Sequence, residues 1–481
     1  MRSSKIKFTS FLMATSLFVA AGSVVAKADD YKQESLSLTI YQDNFAQVNS
    51  SRSFNINSDT GTIRWEKLPT TIQHDSFVLS SDNQTIADIR RPLMVRGPGS
   101  IMEQYIGQTL VWYDDTAINP ELTEREGKLL AVTGEGAVVE FEEGIEVDPY
   151  GKARLPYAPT TVLPYPHVDV TLANPQVGKS HFKASYLTED LYWIAQYKAV
   201  LDQNMKNLTL NSMIQVGNLT ERDFSIDSLS LVAGDTKIEK NQRPMMQKAG
   251  RAEMAMMSTA PSADMVPIVQ PSISLSDRYV FPIEGAKELP AETEIKFNFF
   301  KPVTFPVKTS YELDWRMPWG VVSRQNAPVM RPNTVVEFEN SDENGLGMAL
   351  PEGNIRFVVD GGDANLGELF VSEEYMQNTA KGQDLKFHLG QAFDITAKHI
   401  QTDFRNLTDD HRRFETSYDV KLTNAKDEAV TVILRDFMPS TVEVLDANAE
   451  YEKTSAQSVA WTVEIPANGE FTLSYRVQVG K

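Results

Sequence analysis

His167-Val168-Asp169 sets an imidazole and a carboxylate two residues apart. Residues two apart share one face of a strand. This spacing would therefore aim a ring nitrogen and a carboxylate the same way, as a metal pair or an acid–base pair requires. Val168, Val170 and Leu172 take the opposite parity, so the pattern equally describes the solvated side of a half-buried strand. Asp403, Asp409, Asp410 and His411 form the densest group of hard ligands. It reads first as an exposed loop, because Asp is a turn former. Asp360-Gly-Gly-Asp-Ala-Asn365-Leu-Gly367 lacks the spacing and the closing Glu of a calcium loop. It reads as a hairpin turn between Phe357-Val-Val and Leu369-Phe-Val. His388, in Leu385-Lys-Phe387-His-Leu389, lies opposite the apolar residues and is expected to face water.

Two further groups suit binding rather than catalysis. Met245, Met246, Met254, Met256, Met257 and Met265 could hold soft Cu(I) or contact a partner helix, but Met-rich tracts are ordinary fillers. Trp315-Arg316-Met-Pro-Trp319-Gly320 combines the residue types that dominate hot spots. Trp315, Arg316 and Trp319 are the candidate partner contacts, and a core role for the aromatics is the competing reading. No P-loop, GxGxxG after a strand, GxSxG or HExxH occurs. With no cysteine, thiol catalysis and iron–sulfur chemistry are excluded. No catalytic residue, cofactor site or metal site is assigned.

The elements that would position these residues are strands. In Phe414-Glu-Thr416-Ser-Tyr418-Asp-Val420-Lys-Leu422, residues suited to burial fall on every second position. Phe471 to Val479, Trp461 to Ile465 and Leu36 to Ile40 repeat the pattern. A period of two puts one set of side chains on the core face. Turn residues such as Pro466-Ala-Asn468-Gly469 separate the runs. Leu191 to Leu201 alone has a hint of helical spacing, but Lys198 interrupts that face and Tyr192, Trp193 and Tyr197 favour a strand. The expected fold is mostly β and multidomain, with a small β-barrel and immunoglobulin-like sandwich units.

The expected divisions are a signal at 1–28, an N-terminal β domain at 29–98, a barrel-like domain at 99–165, a central β-rich region at 166–410 and a sandwich-like unit at 411–481. Dense Gly marks the barrel, and Pro156, Pro159, Pro164 and Pro166 mark its exit. A Met/Ala/Pro-rich stretch, about 239–271, lacks aromatics and alternation and is expected to be a long disordered loop.

Arg2, Lys5 and Lys7 precede an apolar run from Phe8 to about Ala21, followed by Ala26-Lys27-Ala28 before Asp29. This is the pattern of a cleavable export signal, with Ala26, Ala28 and Asp29 at the cut. Thr9, Ser10, Thr15 and Ser16 and the short run argue against a membrane anchor. Cleavage removes Arg2, Lys5, Lys7 and Lys27 from 46 basic residues, leaving 42 against 65 acidic and a net charge near −23. Such a surface repels nucleic acid and anionic lipid, and no later stretch predicts stable membrane insertion. The lack of Cys also rules out lipid attachment through cysteine and disulfide stapling. Five Asn-x-Ser/Thr triplets begin at Asn49, Asn83, Asn207, Asn218 and Asn406. A large eukaryotic ectodomain without Cys would be unusual, so they are read as chance and the compartment as a Gram-negative periplasm, with secretion as the alternative.

Several stretches, in order, resemble a bacterial conserved-domain family of unknown function that includes the mucoidy-inhibitor A proteins. They are Leu38 to Val48, Tyr105-Ile-Gly-Gln-Thr109, Tyr186 to Tyr197, Leu229 to Gly234, Leu350-Pro-Glu-Gly353, Gly390 to Ile395 and Trp461 to Glu470. The mucoidy-inhibitor members also resemble one another in a long coiled coil, for which this chain has no counterpart. The resemblance implies an exported β-rich envelope protein and supplies no catalytic residues. The expected function is a non-catalytic periplasmic protein that binds or scaffolds an envelope protein or polysaccharide. The alternative is a periplasmic hydrolase or metal-dependent enzyme whose site assembles from distant residues.

Overall fold

The computed structural model describes residues 24–25, 31–58, 60–91, 101–113, 124–134, 136–157, 165–236, 268–322, 327, 329–362, 367–410 and 412–480. They are mostly β-strands joined by turns, as the alternation predicts. The described residues form two compact units. One comprises those up to 37 with 47–189 and 220–225; the other comprises 38–46, 190–219 and 226–481. The signal residues Ala26, Ala28 and Asp29 and the six loop methionines lie outside the described residues.

In the first unit, Val168–Ala173 pairs antiparallel with both Thr60–Trp65 and Thr85–Arg90. Gly178–Glu189 pairs antiparallel with Ile72–Ser81. Aromatics fill its centre: Phe54 packs edge-on to Phe182, and Phe77 packs against Trp65 and Tyr186. Arg52 is buried among them, its guanidinium over the rings of Tyr31 and Trp65 and its Nη1 donating to the Glu66 carbonyl. Burial pulls its pKa down to about 10, and the rings offset part of the desolvation cost.

The same unit holds an antiparallel sheet ordered Gly144–Val147, Gly136–Phe141, Glu124–Thr133, Thr109–Tyr113, Lys152–Arg154. The barrel expected here does not close, and the sheet stays open. Its edge strands have four and three residues, too few to build a closing ladder with the required stagger. One face is filled instead by Tyr105, Leu110, Trp112, Leu129, Val139 and Phe141. The turn Glu103–Tyr105 brings Tyr105 to that core.

The second unit contains a five-stranded sheet ordered Thr293–Pro306, Asn207–Asn218, Leu191–Leu201, Gly353–Asp360, Glu368–Met376. Leu191–Leu201 is a strand, buried on alternate residues. Its Trp193 and Tyr197 point inward, where the indole Nε1 donates to the Val232 carbonyl and the phenol to the Pro351 carbonyl. Ile268 and Val269 fall inside the stretch, about 239–271, expected to be loop; the rest of that stretch up to 267 lies outside the described residues. Ile268–Val269 already pairs with Arg278–Glu284, because Ile268 and Val269 restore strand-forming residues.

Two more sheets in this unit face each other as a sandwich. One is ordered Asp384–Gln391, Asn333–Glu339, Lys308–Arg316, Val430–Phe437, Ser458–Ile465, Tyr451–Ser455. The other is ordered Val329–Met330, Ile395–Asn406, Phe414–Asn424, Glu470–Val479, Val442–Ala447. A continuous core joins them, including Leu313, Ile395, Tyr418, Val432, Trp461 and Leu473. The strands after 411 therefore supply only part of the sandwich. Lys308–Arg316, which carries Trp315, lies parallel to Val430–Phe437 at its centre.

Candidate functional site: a sealed histidine–aspartate pair beneath the Trp315–Gly320 segment

Ile395, Ala397, His399 and Gln401 occupy alternate positions of one strand, all buried. Val430, Val432, Leu434 and Asp436 do the same on another. Strand parity thus drives two ionisable side chains into the sandwich core. His399 Nε2 lies 3.4 Å from Asp436 Oδ1, with side-chain exposures of 1% and 0%. Asp436 Oδ2 accepts from Trp461 Nε1 at 3.2 Å. Neither ring nitrogen of His399, nor Asp436 Oδ1, has a hydrogen bond of good geometry.

Aromatic rings enclose the pair. Trp315 stacks on His399 at 4.1 Å between centroids and 19° between planes. It meets Tyr418 edge-on at 5.0 Å. Tyr475 stacks between Tyr418 and Trp461. Burial raises the Tyr418 phenol to about 12. Burial and then the Asp436 carboxylate push Tyr475 well above its usual range. These phenols stay protonated at neutral pH. The arrangement is a polar centre buried in an aromatic shell, away from solvent.

The candidate contacts lie directly outside it. Met317 N donates to the Phe437 carbonyl at 2.8 Å, which extends the strand pairing past Arg316. Gln401, itself buried, then fastens the turn: Val322 N donates to its Oε1 at 2.6 Å, and its Nε2 donates to the Gly320 carbonyl and to Thr416 Oγ1. Gly320 has φ +93, a conformation that suits glycine. The result fixes three different fates. Trp315 is half-buried over His399, Arg316 is exposed over the Phe437 ring, and Trp319 is 57% exposed while resting on Phe414.

The other sequence candidates do not converge. His167 is buried rather than solvated, and Asp169 is committed to Arg64 at 2.7 and 3.3 Å. The imidazole stands 3.9 Å from Asp169. Burial, then the Arg64 charge, holds it below the ordinary histidine range against the pull of Asp169. Asp403 pairs with Arg476, and Asp410 accepts from the Arg412 N–H; His411 lies outside the described residues. Asp360 pairs with Glu368 across a hairpin, as the Asp-Gly signal predicts, and its Oδ1 accepts from Gly362 N. His388 faces out. Among the described residues, no three of His, Asp or Glu are grouped to hold a metal ion.

Sequence reading passed over His399 and Asp436. The usable signal was parity: His399 continues the buried set begun by Ile395 and Ala397, and Asp436 the set begun by Val430, Val432 and Leu434, on strands far apart in the chain.

A family model for a domain of unknown function, DUF4139, matches residues 182–480. No curated protein matches the chain.

Proposed function

The chain belongs to the DUF4139 family, and we propose that it is an exported, non-catalytic module that binds or scaffolds another component of the bacterial envelope, a protein or a polysaccharide. The carrying observation is the Trp315–Gly320 segment. It is held rigidly by Gln401 and the Phe437 carbonyl, yet presents Trp319 and Arg316 to solvent. A preorganised aromatic beside a guanidinium loses little entropy on binding and supplies hot-spot chemistry.

Export to the periplasm is supported by the basic start, the apolar run Phe8 to Ala21 and the Ala26-Lys27-Ala28 pattern. The ordered likeness to the mucoidy-inhibitor A proteins supports the same address. The acidic balance, −19 for the whole chain, disfavours nucleic acid as partner. Among the described residues no helix is long and apolar enough to cross a membrane. The alternative of a hydrolase or metal enzyme gains no support from His399 and Asp436, which are sealed beneath Trp315. The binding reading requires no such opening.

The test is affinity capture from periplasmic extract with the mature chain and with a Trp319→Ala, Arg316→Ala variant. An envelope component enriched by the first and lost with the second is expected. Equal enrichment by both, or none by either, defeats the proposal.

A further inference from the structure

Every open sheet ends in strands with unpaired backbone groups, and natural proteins guard such edges with Lys, Pro, bulges or short length. Several edges here follow that rule. Thr293–Pro306 carries Lys296, Lys301, Pro302 and Pro306. Tyr451–Ser455 carries Lys453 and breaks register. Val442–Ala447 also breaks register, and Lys152–Arg154 carries a cation at each end. Gly144–Val147 is guarded only by its shortness. It has no Lys, Arg or Pro, and its pairing with Gly136–Phe141 runs without a register shift.

Its geometry favours another strand. Asp148 N donates to the Ala137 carbonyl at 2.7 Å, which makes Asp148 and Glu146 the hydrogen-bonded positions of the ladder. Antiparallel ladders alternate, so Ile145 and Val147 turn their N–H and C=O groups away from the sheet. The same two side chains are each 61% exposed. Glu146 does not shield them. Both its oxygens are engaged by Arg125, at 2.7 and 2.9 Å, and Arg125 lies over the Phe141 ring.

The surroundings specify charge. Residues 140–148 read Glu-Phe-Glu-Glu-Gly-Ile-Glu-Val-Asp, with no basic residue. Glu142, Glu143 and Asp148 are exposed; Lys128 stands opposite Glu140 in the ladder, and Arg125 is committed to Glu146. We propose that Gly144–Val147 is a docking edge for an extended, cationic segment of a partner protein, which adds as a sixth strand and alternates Lys or Arg with apolar residues. Backbone hydrogen bonds to Ile145 and Val147 supply register, the two exposed side chains supply apolar contact, and the carboxylates select the sign of the partner. This rests on the reading of the chain as a binding module, and names a partner class for an edge that does not include Trp319.

The test uses the full chain and a fluorescein-labelled peptide of four Lys-Val repeats, followed by anisotropy, with four Glu-Val repeats as control. Saturable binding of the cationic peptide alone is expected, weakening as salt rises. Val147→Pro, which removes an outward N–H, should weaken it about tenfold or more. A Glu142→Lys, Glu143→Lys variant should weaken it while keeping the hairpin. If circular dichroism shows that Val147→Pro loses the sheet, the charge variant decides. No saturable binding, equal binding of the acidic peptide, or affinity unchanged in the charge variant overturns the proposal. So does a dimer in sedimentation that Val147→Pro abolishes, which would make a second copy the occupant. Failure here leaves the capture experiment at Trp319 untouched, so the two readings fall separately.

Discussion

Asp436 and His399 cost desolvation energy that neither recovers through good hydrogen bonds on every atom. A buried pair of this kind is weak evidence for stability, yet it is expensive to break. Asp436→Ala leaves a charged or unpartnered imidazole in the core and is expected to lose about 3–5 kcal/mol in urea unfolding. The double variant His399→Leu, Asp436→Leu should recover most of that loss, because well-packed apolar residues replace the pair without an orphan. A double variant no better than the single would show that the polar pair itself is stabilising. Glu312 presents the opposite case. Burial alone would raise its pKa, but Lys386 and Arg435, at 2.5 and 2.9 Å, outweigh burial and hold the carboxyl below its ordinary range. A depressed pKa contributes stability above the unfolded value, and that contribution is lost as pH falls through the folded value. Glu312→Gln should therefore destabilise at neutral pH, and the difference from the parent should shrink below about pH 4.5 in pH-resolved urea midpoints. Neither site was visible from spacing. His399 and Asp436 are far apart in sequence, and only their shared core parity marked them.

At the scale of elements, alternation made the strands legible because one buried face is what a period of two encodes. Leu191–Leu201 shows why its weak helical hint gave way: Leu191, Trp193, Ala195, Tyr197, Ala199 and Leu201 all fall on the buried parity. Barrel closure was not legible, because it depends on whether the last strand reaches the first, and short edge strands prevent that here. The parallel pairing of Leu191–Leu201 with Gly353–Asp360 was equally hidden, since nothing local specifies a partner so distant. It does leave a mark at Gly353, where an added Cβ would stand 1.9 Å from the Ala195 carbonyl oxygen. Gly353→Ala should force the two strands apart and cost at least about 1–3 kcal/mol, read as a lowered urea midpoint. A midpoint equal to the parent would contradict this register.

The proposed signal implies that the exported protein begins at Asp29, and intact-mass measurement of the periplasmic fraction should find that start. A retained signal, or a cut elsewhere, would contradict it. The sandwich is assembled from strands between 308 and 479, although the local pattern suggested a unit beginning at 411. Long-range parallel pairing of Lys308–Arg316 placed Trp315 over His399 and carried Trp319 to the surface. That placement underlies the central claim that the protein binds rather than catalyses. Its most direct measurement is photo-crosslinking in intact cells, with benzoylphenylalanine replacing Trp319 and, as control, the exposed Asp409. A binding module predicts one discrete adduct with an envelope component from position 319 that is absent from position 409. Identical labelling at both positions, or no adduct at 319 in protein of normal abundance, would contradict the account.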